Sequence, residues 1–215
     1  MNYTIQNKNF DIRRTFLCGQ CFRWSEDENG AFSGIAGGRS LTVTQSGDEV
    51  TLHGVSEQDI PFWENYFDLG TDYSAYIETL SADETLKKAC EFSPGIRILR
   101  QEPFETLISF IISQNNNIPR IKKILGRTAD ALGEKRTFKN IPYGTFPTAT
   151  VMSEYDQNFY AGLGLGYRAA YIKQNADKLS DGYDLNNLDN LTTPELKKEL
   201  LSLYGVCLLY TSDAA

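Results

Sequence analysis

Three consecutive asparagines, Asn115, Asn116 and Asn117, stand between an apolar segment and a segment rich in basic residues. The apolar segment, residues 102–113, has the composition of a buried helix and begins near a proline, whose missing N–H removes no hydrogen bond in a first helical turn. The basic segment, residues 118–132, repeats apolar side chains at helical spacing. Asparagine tolerates left-handed backbone and offers both donors and acceptors. We therefore predict a helix–helix corner that reads a polar ligand; the alternative is a corner in which the asparagines only cap two helices.

The chain around this corner is locally basic, although its formal net charge is −7. Residues 95–127 contain six basic side chains and two acidic ones, Glu102 and Glu105. Phosphate binding depends on the local field more than on the total charge, so the patch favours a nucleic acid as ligand. The basic members are Arg97, Arg100, Arg120, Lys122, Lys123 and Arg127.

Two other segments place glycine beside arginine and an aromatic residue. Residues 19–24 read Gly-Gln-Cys-Phe-Arg-Trp, and residues 164–169 read Gly-Leu-Gly-Tyr-Arg-Ala. Gly19 has no side chain, so its carbonyl can closely approach the edge of a planar ligand. The residues alone leave simpler interpretations open. Gly19 could be an ordinary turn residue, and the second segment could be the cap and start of a helix with a packed tyrosine.

The order and spacing of these three motifs resemble those of the 8-oxoguanine DNA glycosylases, base-excision enzymes with a helix-hairpin-helix motif, over about residues 11–206. The resemblance implies an N-glycosylase that removes 8-oxoguanine opposite cytosine, with an associated abasic-site lyase activity by β-elimination. It also implies a monomer that binds double-stranded DNA containing 8-oxoguanine, in the cytoplasm and on the nucleoid if the cell is prokaryotic. The alternatives are a non-enzymatic module that binds DNA lesions and a related helix-hairpin-helix glycosylase with another base preference.

By this resemblance, two glycines contact the damaged strand through their backbone. Gly19 provides a carbonyl that accepts a hydrogen bond from N7–H of 8-oxoguanine, where guanine carries a lone pair instead. Gly205 belongs to a hairpin whose backbone amides bind a phosphate.

The resemblance assigns the opposite strand to side chains. A base taken out of the stack leaves its partner cytosine unpaired. Arg120 and Arg168 can supply the donors that this cytosine needs, and Asn115 can supply a donor and an acceptor. Tyr167 is a flat wedge that can stack against the exposed neighbouring pair. Asn117 is expected to be structural.

The resemblance stops at Cys207. In the family the hairpin has the pattern L-P-G-V-G-x-K, and its lysine is the nucleophile. Residues 203–209 here read Leu-Tyr-Gly-Val-Cys-Leu-Leu, so Leu209 occupies the lysine position. The activating aspartate of the family lies beyond the end of the chain, and the tail 207–215 resembles translated adapter sequence rather than native protein. We therefore expect no catalytic residue and no glycosylase or lyase activity in this chain.

The composition is typical of a globular cytosolic protein. Hydrophobic residues make up 41% of the 215 residues, which is enough for a substantial core. No run approaches the roughly 20 apolar residues of a membrane span, and the first residues carry no export signal. Cys18 and Cys21 could form a redox motif or half of a zinc site, but zinc would need two further ligands and His53 is the only histidine. We expect no metal and no cofactor.

The patterns predict an α+β chain in which residues 1–94 form a small β-rich domain and residues 95–206 form an all-helical domain, incomplete at its C terminus. Short apolar runs between glycine-rich turns predict an antiparallel meander over residues 22–55, packed against the aromatic face of a helix over residues 59–69. By resemblance, the first domain is similar to half of the TATA-binding protein. Residues 138–147 are expected to be an irregular connector. Further helices are predicted over residues 72–80, 83–92, 102–113, 118–132, 150–161, 167–180 and 194–203.

Overall fold

The computed structural model describes residues 1–207, and the chain divides into two compact units after Gln101. The sequence suggested a boundary after Pro94. Residues 95–101 belong with the first unit because they bond back to it. The Asp11 N–H donates to the Gly95 carbonyl at 2.8 Å, and the Arg100 N–H donates to the Tyr66 carbonyl at 2.9 Å. A β-rich first unit and a mainly helical second unit confirm the predicted α+β class.

A five-stranded antiparallel sheet forms the framework of the first unit, in the order β1-β5-β4-β3-β2. The strands are β1 (Tyr3–Gln6), β2 (Trp24–Glu26), β3 (Phe32–Ala36), β4 (Arg39–Ser46) and β5 (Glu49–His53). The predicted meander accounts for β2 to β5. The sequence prediction missed β1, which pairs with β5 in the register that sets Tyr3 opposite Leu52. A four-residue strand whose partner lies far along the chain carries too short a pattern to be recognised.

The helices of this unit are α1 (Ile12–Leu17), α2 (Ile60–Tyr66), α3 (Tyr73–Leu80) and α4 (Glu84–Phe92). Buried aromatic rings join α1 and α2 to the sheet. Phe16 stacks on Trp24 with 4.2 Å between ring centroids, and Trp63 meets Trp24 edge-on at 6.1 Å. The predicted aromatic face of α2 is confirmed. The helix ends at Tyr66, earlier than expected, and the chain then turns through Asp68, whose φ of 52° is left-handed.

Helices form most of the described part of the second unit. They are α5 (Pro103–Ser113), α6 (Ile118–Leu132), α7 (Ala149–Ser153), α8 (Gln157–Gly162), α9 (Arg168–Ser180) and α10 (Thr193–Leu201). The single helix expected over residues 150–161 is two helices, because Asp156 caps a new one by accepting a hydrogen bond from the Phe159 N–H at 2.8 Å. Within residues 1–207, no helix is both long enough and apolar enough to cross a membrane.

A two-stranded hairpin, β6 (Lys135–Phe138) and β7 (Ile141–Gly144), interrupts these helices. The expected irregular connector and the all-helical description of this domain were therefore wrong here. Lys139 and Asn140 have φ values of 49° and 63°, which a tight two-residue hairpin turn requires. The hairpin packs closely against α6: a Cβ at Gly144 would lie 2.0 Å from the Ala129 carbonyl oxygen.

Candidate nucleic-acid interface

The three asparagines form the corner between α5 and α6, and two of them are caps. Asn116 Nδ2 donates to the Ile112 carbonyl at 2.9 Å, which satisfies a carbonyl at the end of α5. Asn117 Oδ1 accepts from the Arg120 N–H at 3.0 Å, which starts α6. The structural role expected of Asn117 is confirmed. Asn115 differs from both: its φ is 47°, it is exposed, and its side chain makes no hydrogen bond to any group in residues 1–207.

Gln114, which sequence reasoning did not select, joins three of the candidate residues. Its side-chain Nε2 donates to the Gly205 carbonyl at 2.6 Å. Its backbone carbonyl accepts from Nη2 of Arg168, and the same nitrogen lies 3.2 Å from the Asn115 carbonyl. Asn115, Arg168 and Gly205 therefore meet around one glutamine. The sequence holds one weak signal for it, a polar side chain at the end of an apolar helix.

Arg168 is buried beneath the asparagine corner, with 4% of its surface exposed. We expected a cation that displays its donors to an unpaired base. In the free protein Nη2 instead binds two carbonyls of the corner, and Nε is buried without a hydrogen-bond partner in the described chain. Its Cζ lies 4.5 Å from the ring centroid of Tyr167, within cation–π distance. Arg168 therefore contacts both the asparagine corner and Tyr167 in the free protein.

Tyr167 presents its ring to solvent, with 57% of its surface exposed. It precedes the first residue of α9 and meets Tyr171 edge-on, with 6.3 Å between centroids. The turn before it uses Gly164 and Gly166 at φ values of 98° and 58°, where other residues are strained. The segment does begin a helix, as the simpler interpretation held. The tyrosine, however, is not packed into the core.

Arg120 lies in the first turn of α6 and is exposed. No group in residues 1–207 forms a hydrogen bond or ion pair with its guanidinium. Lys123 and Arg127 follow at helical spacing, and Arg127 Nη1 lies 3.4 Å from the Leu163 carbonyl, at the turn that leads to Tyr167. Arg120 is thus an available cation next to the asparagine corner.

Gly205 lies in the turn after α10, at a φ of 78°. A Cβ at this position would lie 2.7 Å from Cδ2 of Tyr171. Its carbonyl is held by Gln114, whereas its N–H has no acceptor among the described residues. A free backbone N–H in a tight turn is the type of group that binds a phosphate oxygen. Leu209 and the rest of the predicted tail after Cys207 lie outside the described residues.

Gly19 lies in the first unit, in the loop after α1. Its φ is 92°, and its carbonyl accepts no hydrogen bond from residues 1–207. The expected reason for glycine was close approach. Among residues 1–207 no atom lies within 4 Å of the position that a Cβ would take, so the backbone conformation already favours glycine here.

The neighbouring Gln20 fixes this loop. Gln20 Nε2 donates to the carbonyls of Thr15 and Arg97 at 3.0 and 2.8 Å, and its Oε1 accepts from the Leu99 N–H at 2.9 Å. The free carbonyl of Gly19 therefore belongs to a loop that is held on two sides.

Neither Cys18 nor Cys21 forms a disulfide bond, and Cys18 is exposed whereas Cys21 is buried. In the described part of the chain, no group of three or more metal-ligating side chains comes together.

Known proteins resemble the chain over both units. Residues 2–107 match the family model of the 8-oxoguanine DNA glycosylase N-terminal domain. The apo structure of the Clostridium acetobutylicum 8-oxoguanine glycosylase/lyase is 38% identical with a TM-score of 0.92, over 96% of this chain and 73% of that one. The structure of that protein with double-stranded DNA containing cytosine opposite 8-oxoG gives 37% identity and a TM-score of 0.90, over 96% and 74%.

Curated relatives match over shorter stretches. The N-glycosylase/DNA lyase of Saccharomyces cerevisiae is 42% identical over 134 residues, which cover 56% of this chain and 36% of the relative. The probable N-glycosylase/DNA lyase of Methanothermobacter thermautotrophicus is 28% identical over 163 residues, which cover 66% and 52%. The chain thus spans about a third to a half of the length of these relatives.

Proposed function

Because the chain belongs to the 8-oxoguanine DNA glycosylase family, we propose that it recognises 8-oxoguanine opposite cytosine in double-stranded DNA, in base-excision repair. The activity that this family membership implies for a full-length member is that of an N-glycosylase with an associated abasic-site lyase. In this proposal the two units that divide after Gln101, and not after residue 94, are the two domains of the protein, which works as a monomer in the cytoplasm, or on the nucleoid in a prokaryote.

The observation that carries the proposal is the convergence of Asn115, Arg168 and Gly205 around Gln114. An extruded base leaves a hole and an unpaired partner. The unpaired cytosine offers acceptors at N3 and O2 and a donor at N4. Asn115 complements both kinds of group from an exposed position, and Arg168, whose Nη2 holds the corner carbonyls, has its Nε left to donate. The free N–H of Gly205 supplies a phosphate contact a short distance away.

Two exposed residues beside this cluster complete the proposed surface. Tyr167 fills the space left in the stack, since a flat ring next to a cation can lie against the neighbouring base pair. Arg120 lies at the start of α6 without a partner in residues 1–207, so no existing ion pair must break before it binds an acceptor.

The proposed reader of the oxidised base is the Gly19 carbonyl. Guanine has a lone pair at N7, whereas 8-oxoguanine has N7–H, so a fixed carbonyl attracts one base and repels the other. The contact is worth about 1–3 kcal/mol in a site without water. The carbonyl is free within the described chain, and the contacts of Gln20 hold its loop.

We further propose that this chain binds the lesion without cleaving DNA. The family lysine acts as a nucleophile on the sugar, and the sequence has Leu209 at that position. The lysines of α10, Lys197 and Lys198, are exposed on the helix before the turn and receive no catalytic role. The same observation favours a second candidate function, a lesion-binding module without enzymatic activity.

Fluorescence anisotropy with short duplexes tests the binding proposal. We expect affinity for 8-oxoguanine opposite cytosine to exceed that for an undamaged duplex by about tenfold, since one good base contact contributes about 1–3 kcal/mol. Arg120→Gln should weaken the preference for cytosine opposite the lesion. The matched control is Lys139→Gln, which removes one exposed positive charge from the β6–β7 turn. Equal affinity for all duplexes would contradict the proposal, and preference for another damaged base would favour a related glycosylase.

Borohydride trapping on the 8-oxoguanine duplex tests the absence of cleavage. A lysine nucleophile forms a Schiff base that borohydride reduces to a stable adduct, so we expect no adduct here. A covalent adduct would show that this chain supplies a nucleophile of its own.

A further inference from the structure

We propose that Gln114 is a positioning residue that couples the two halves of the DNA-binding surface, the opposite-base cluster of Asn115 and Arg168 and the phosphate-binding turn at Gly205. This inference rests on the proposed function for its DNA-binding consequence. The coupling itself is a property of the free protein and can be tested without DNA.

The coupling follows from the two different groups that Gln114 uses. Its side chain reaches the Gly205 carbonyl, 91 residues later in the chain, at 2.6 Å. Gln114 is the residue after the last turn of α5, and its φ of −58° and ψ of 124° are not helical. Its backbone carbonyl accepts a hydrogen bond from Arg168. A change in the Gly205 turn therefore acts on the same residue whose backbone holds Arg168.

The neighbouring polar residues do not duplicate this link. The side chains of Asn116 and Asn117 form hydrogen bonds with backbone groups at the end of α5 and the start of α6. The Asn115 side chain has no partner in residues 1–207 and remains available for a ligand. Among the four polar residues of the corner, Gln114 is the one whose side chain bonds to the Gly205 turn in the described structure.

The position of Gly205 matters because this one residue carries both the proposed phosphate contact and the group that Gln114 binds. The Gly205 N–H is free within the described chain, and the Gly205 carbonyl accepts the hydrogen bond from Gln114. Loss of the glutamine amide leaves this carbonyl unpaired at a half-buried position and lets the turn move relative to the asparagine corner. The opposite-base cluster and the phosphate-binding turn would then no longer lie at a fixed distance from each other. DNA with an extruded base must contact both at the same time.

Two variants, Gln114→Met and Gln114→Glu, remove the side-chain N–H donor of Gln114 while keeping a side chain of similar size. Methionine keeps the length and flexibility of glutamine without an amide, and glutamate keeps its shape but places an oxygen against the Gly205 carbonyl. The matched control is Gln45→Met in the first unit, since Gln45 Nε2 also donates to a backbone carbonyl, that of Phe10, at 2.6 Å. Gln45 has no place in the proposed DNA-binding surface.

In the absence of DNA, we expect both Gln114 variants to shift or broaden the backbone amide resonances of Arg168 and Gly205 together, since both residues are bound by Gln114 and lie far from it in the sequence. Gln45→Met should leave both resonances in place. A change at Gly205 with none at Arg168 would overturn the coupling, whatever the variants do to DNA binding.

With DNA, the probe is a duplex with a tetrahydrofuran abasic analogue opposite cytosine, compared with the same analogue opposite adenine. We expect Gln114→Met to weaken binding about tenfold and to remove most of the preference for cytosine, while the dependence on salt concentration stays as in the wild type because no charge is lost. Unchanged cytosine preference in a folded Gln114→Met variant would overturn the inference. A wild-type protein without preference between the duplexes would instead reject the proposed function, and the resonances would still decide the coupling.

Discussion

The side-chain amide of Asn175 binds both backbone groups of Tyr204. Oδ1 accepts from the Tyr204 N–H at 3.0 Å, and Nδ2 donates to the Tyr204 carbonyl at 2.8 Å and to the Tyr171 carbonyl at 2.9 Å. The carbonyl and N–H of a trans peptide point in opposite directions, and the chain has no cis peptide in its described part. With the Tyr204 carbonyl turned toward Asn175, the Gly205 N–H points away from it. A fully buried asparagine thus sets the direction of the proposed phosphate contact.

Asn175→Leu should lower both the stability of the fold and its affinity for DNA. Leucine has a similar volume but leaves the Tyr204 groups unpaired, so we expect the free energy of unfolding in urea to fall by about 2–3 kcal/mol. The control Asn187→Leu changes an exposed asparagine and should shift stability by less than about 0.5 kcal/mol. Equal stability of the Asn175 variant and the wild type would show that water replaces the lost hydrogen bonds.

Arg97→Lys should destabilise the first unit although it conserves the charge. Arg97 is 1% exposed and donates to the carbonyls of Phe67, Asn9 and Thr71 at 2.9, 3.1 and 3.0 Å and to that of Asp68. A single ammonium cannot reach four carbonyls around a planar fork, so we expect a loss of about 2–4 kcal/mol in urea denaturation.

The control for this variant is Arg13→Lys, at a mostly exposed position paired with Glu26, where the change should be within about 0.5 kcal/mol. Burial lowers the pKa of Arg97, but arginine stays charged at any pH at which the protein would be studied. Its effect is therefore independent of pH. Similar losses for Arg97→Lys and Arg13→Lys would contradict the role given to the carbonyl contacts. Since the Arg97 carbonyl also binds Gln20, the same variant should loosen the Gly19 loop.

Asp68 should contribute an acid-sensitive part of the stability. Burial raises the pKa of its carboxyl, but hydrogen bonds from Arg100 at 2.6 Å, Thr71 at 2.8 Å and Tyr73 at 3.0 Å outweigh it, and the pKa is lowered overall. A group whose folded pKa is depressed stabilises the fold above its unfolded pKa and loses that effect as pH falls through the folded value. Its contribution should therefore be complete at neutral pH and disappear below about pH 4.

Asp68→Asn tests this contribution, because asparagine keeps the left-handed backbone of this position and lacks the charge. We expect the variant to be less stable than the wild type at pH 7 and the two stability curves to converge as pH falls below about 4. Asp48→Asn, which removes an exposed carboxylate, is the control and should change the stability at pH 7 by less than about 0.5 kcal/mol. Parallel curves for Asp68→Asn and the wild type between pH 7 and pH 3 would contradict the assignment.

Local signals predicted the helices that carry the interface. A proline in the first turn marks the start of α5, and Asn117, one of the asparagines that the sequence allowed as caps, marks the start of α6. The β6–β7 hairpin was missed because its turn is Lys139-Asn140 rather than a glycine-containing pair, and its glycine, Gly144, is required by the approach of α6 instead.

The organisation of the site depends on contacts that no local pattern contains. Gln114 and Gly205 are 91 residues apart, and Asn175 and Tyr204 are 29 apart. The motifs gave the residue types that could contact DNA, but the burial of Arg168 follows from how α9 packs beneath the asparagine corner. Sequence reasoning therefore reached the residues proposed to contact DNA and not the residues that position them.

Alanine substitutions at Gly19 and Gly205 should separate backbone strain from steric overlap. Both glycines have positive φ, 92° and 78°, so alanine is strained at either position by about 1 kcal/mol. At Gly19 no atom of the described chain lies within 4 Å of the new Cβ, whereas at Gly205 Tyr171 Cδ2 would be 2.7 Å away. We therefore expect Gly205→Ala to lower the free energy of unfolding by about 1–3 kcal/mol more than Gly19→Ala, because overpacking adds to the strain.

The two alanine substitutions should also differ in how they change DNA binding. Gly19→Ala places a methyl group beside the carbonyl proposed to read 8-oxoguanine, so it should reduce the preference for the oxidised base while leaving binding to an abasic analogue opposite cytosine unchanged. Gly205→Ala should weaken binding to both duplexes, since the phosphate contact does not depend on the base. Anisotropy titrations at one salt concentration measure both effects. If Gly19→Ala weakened both duplexes equally, the carbonyl would be a support for the loop and not the reader of the damaged base.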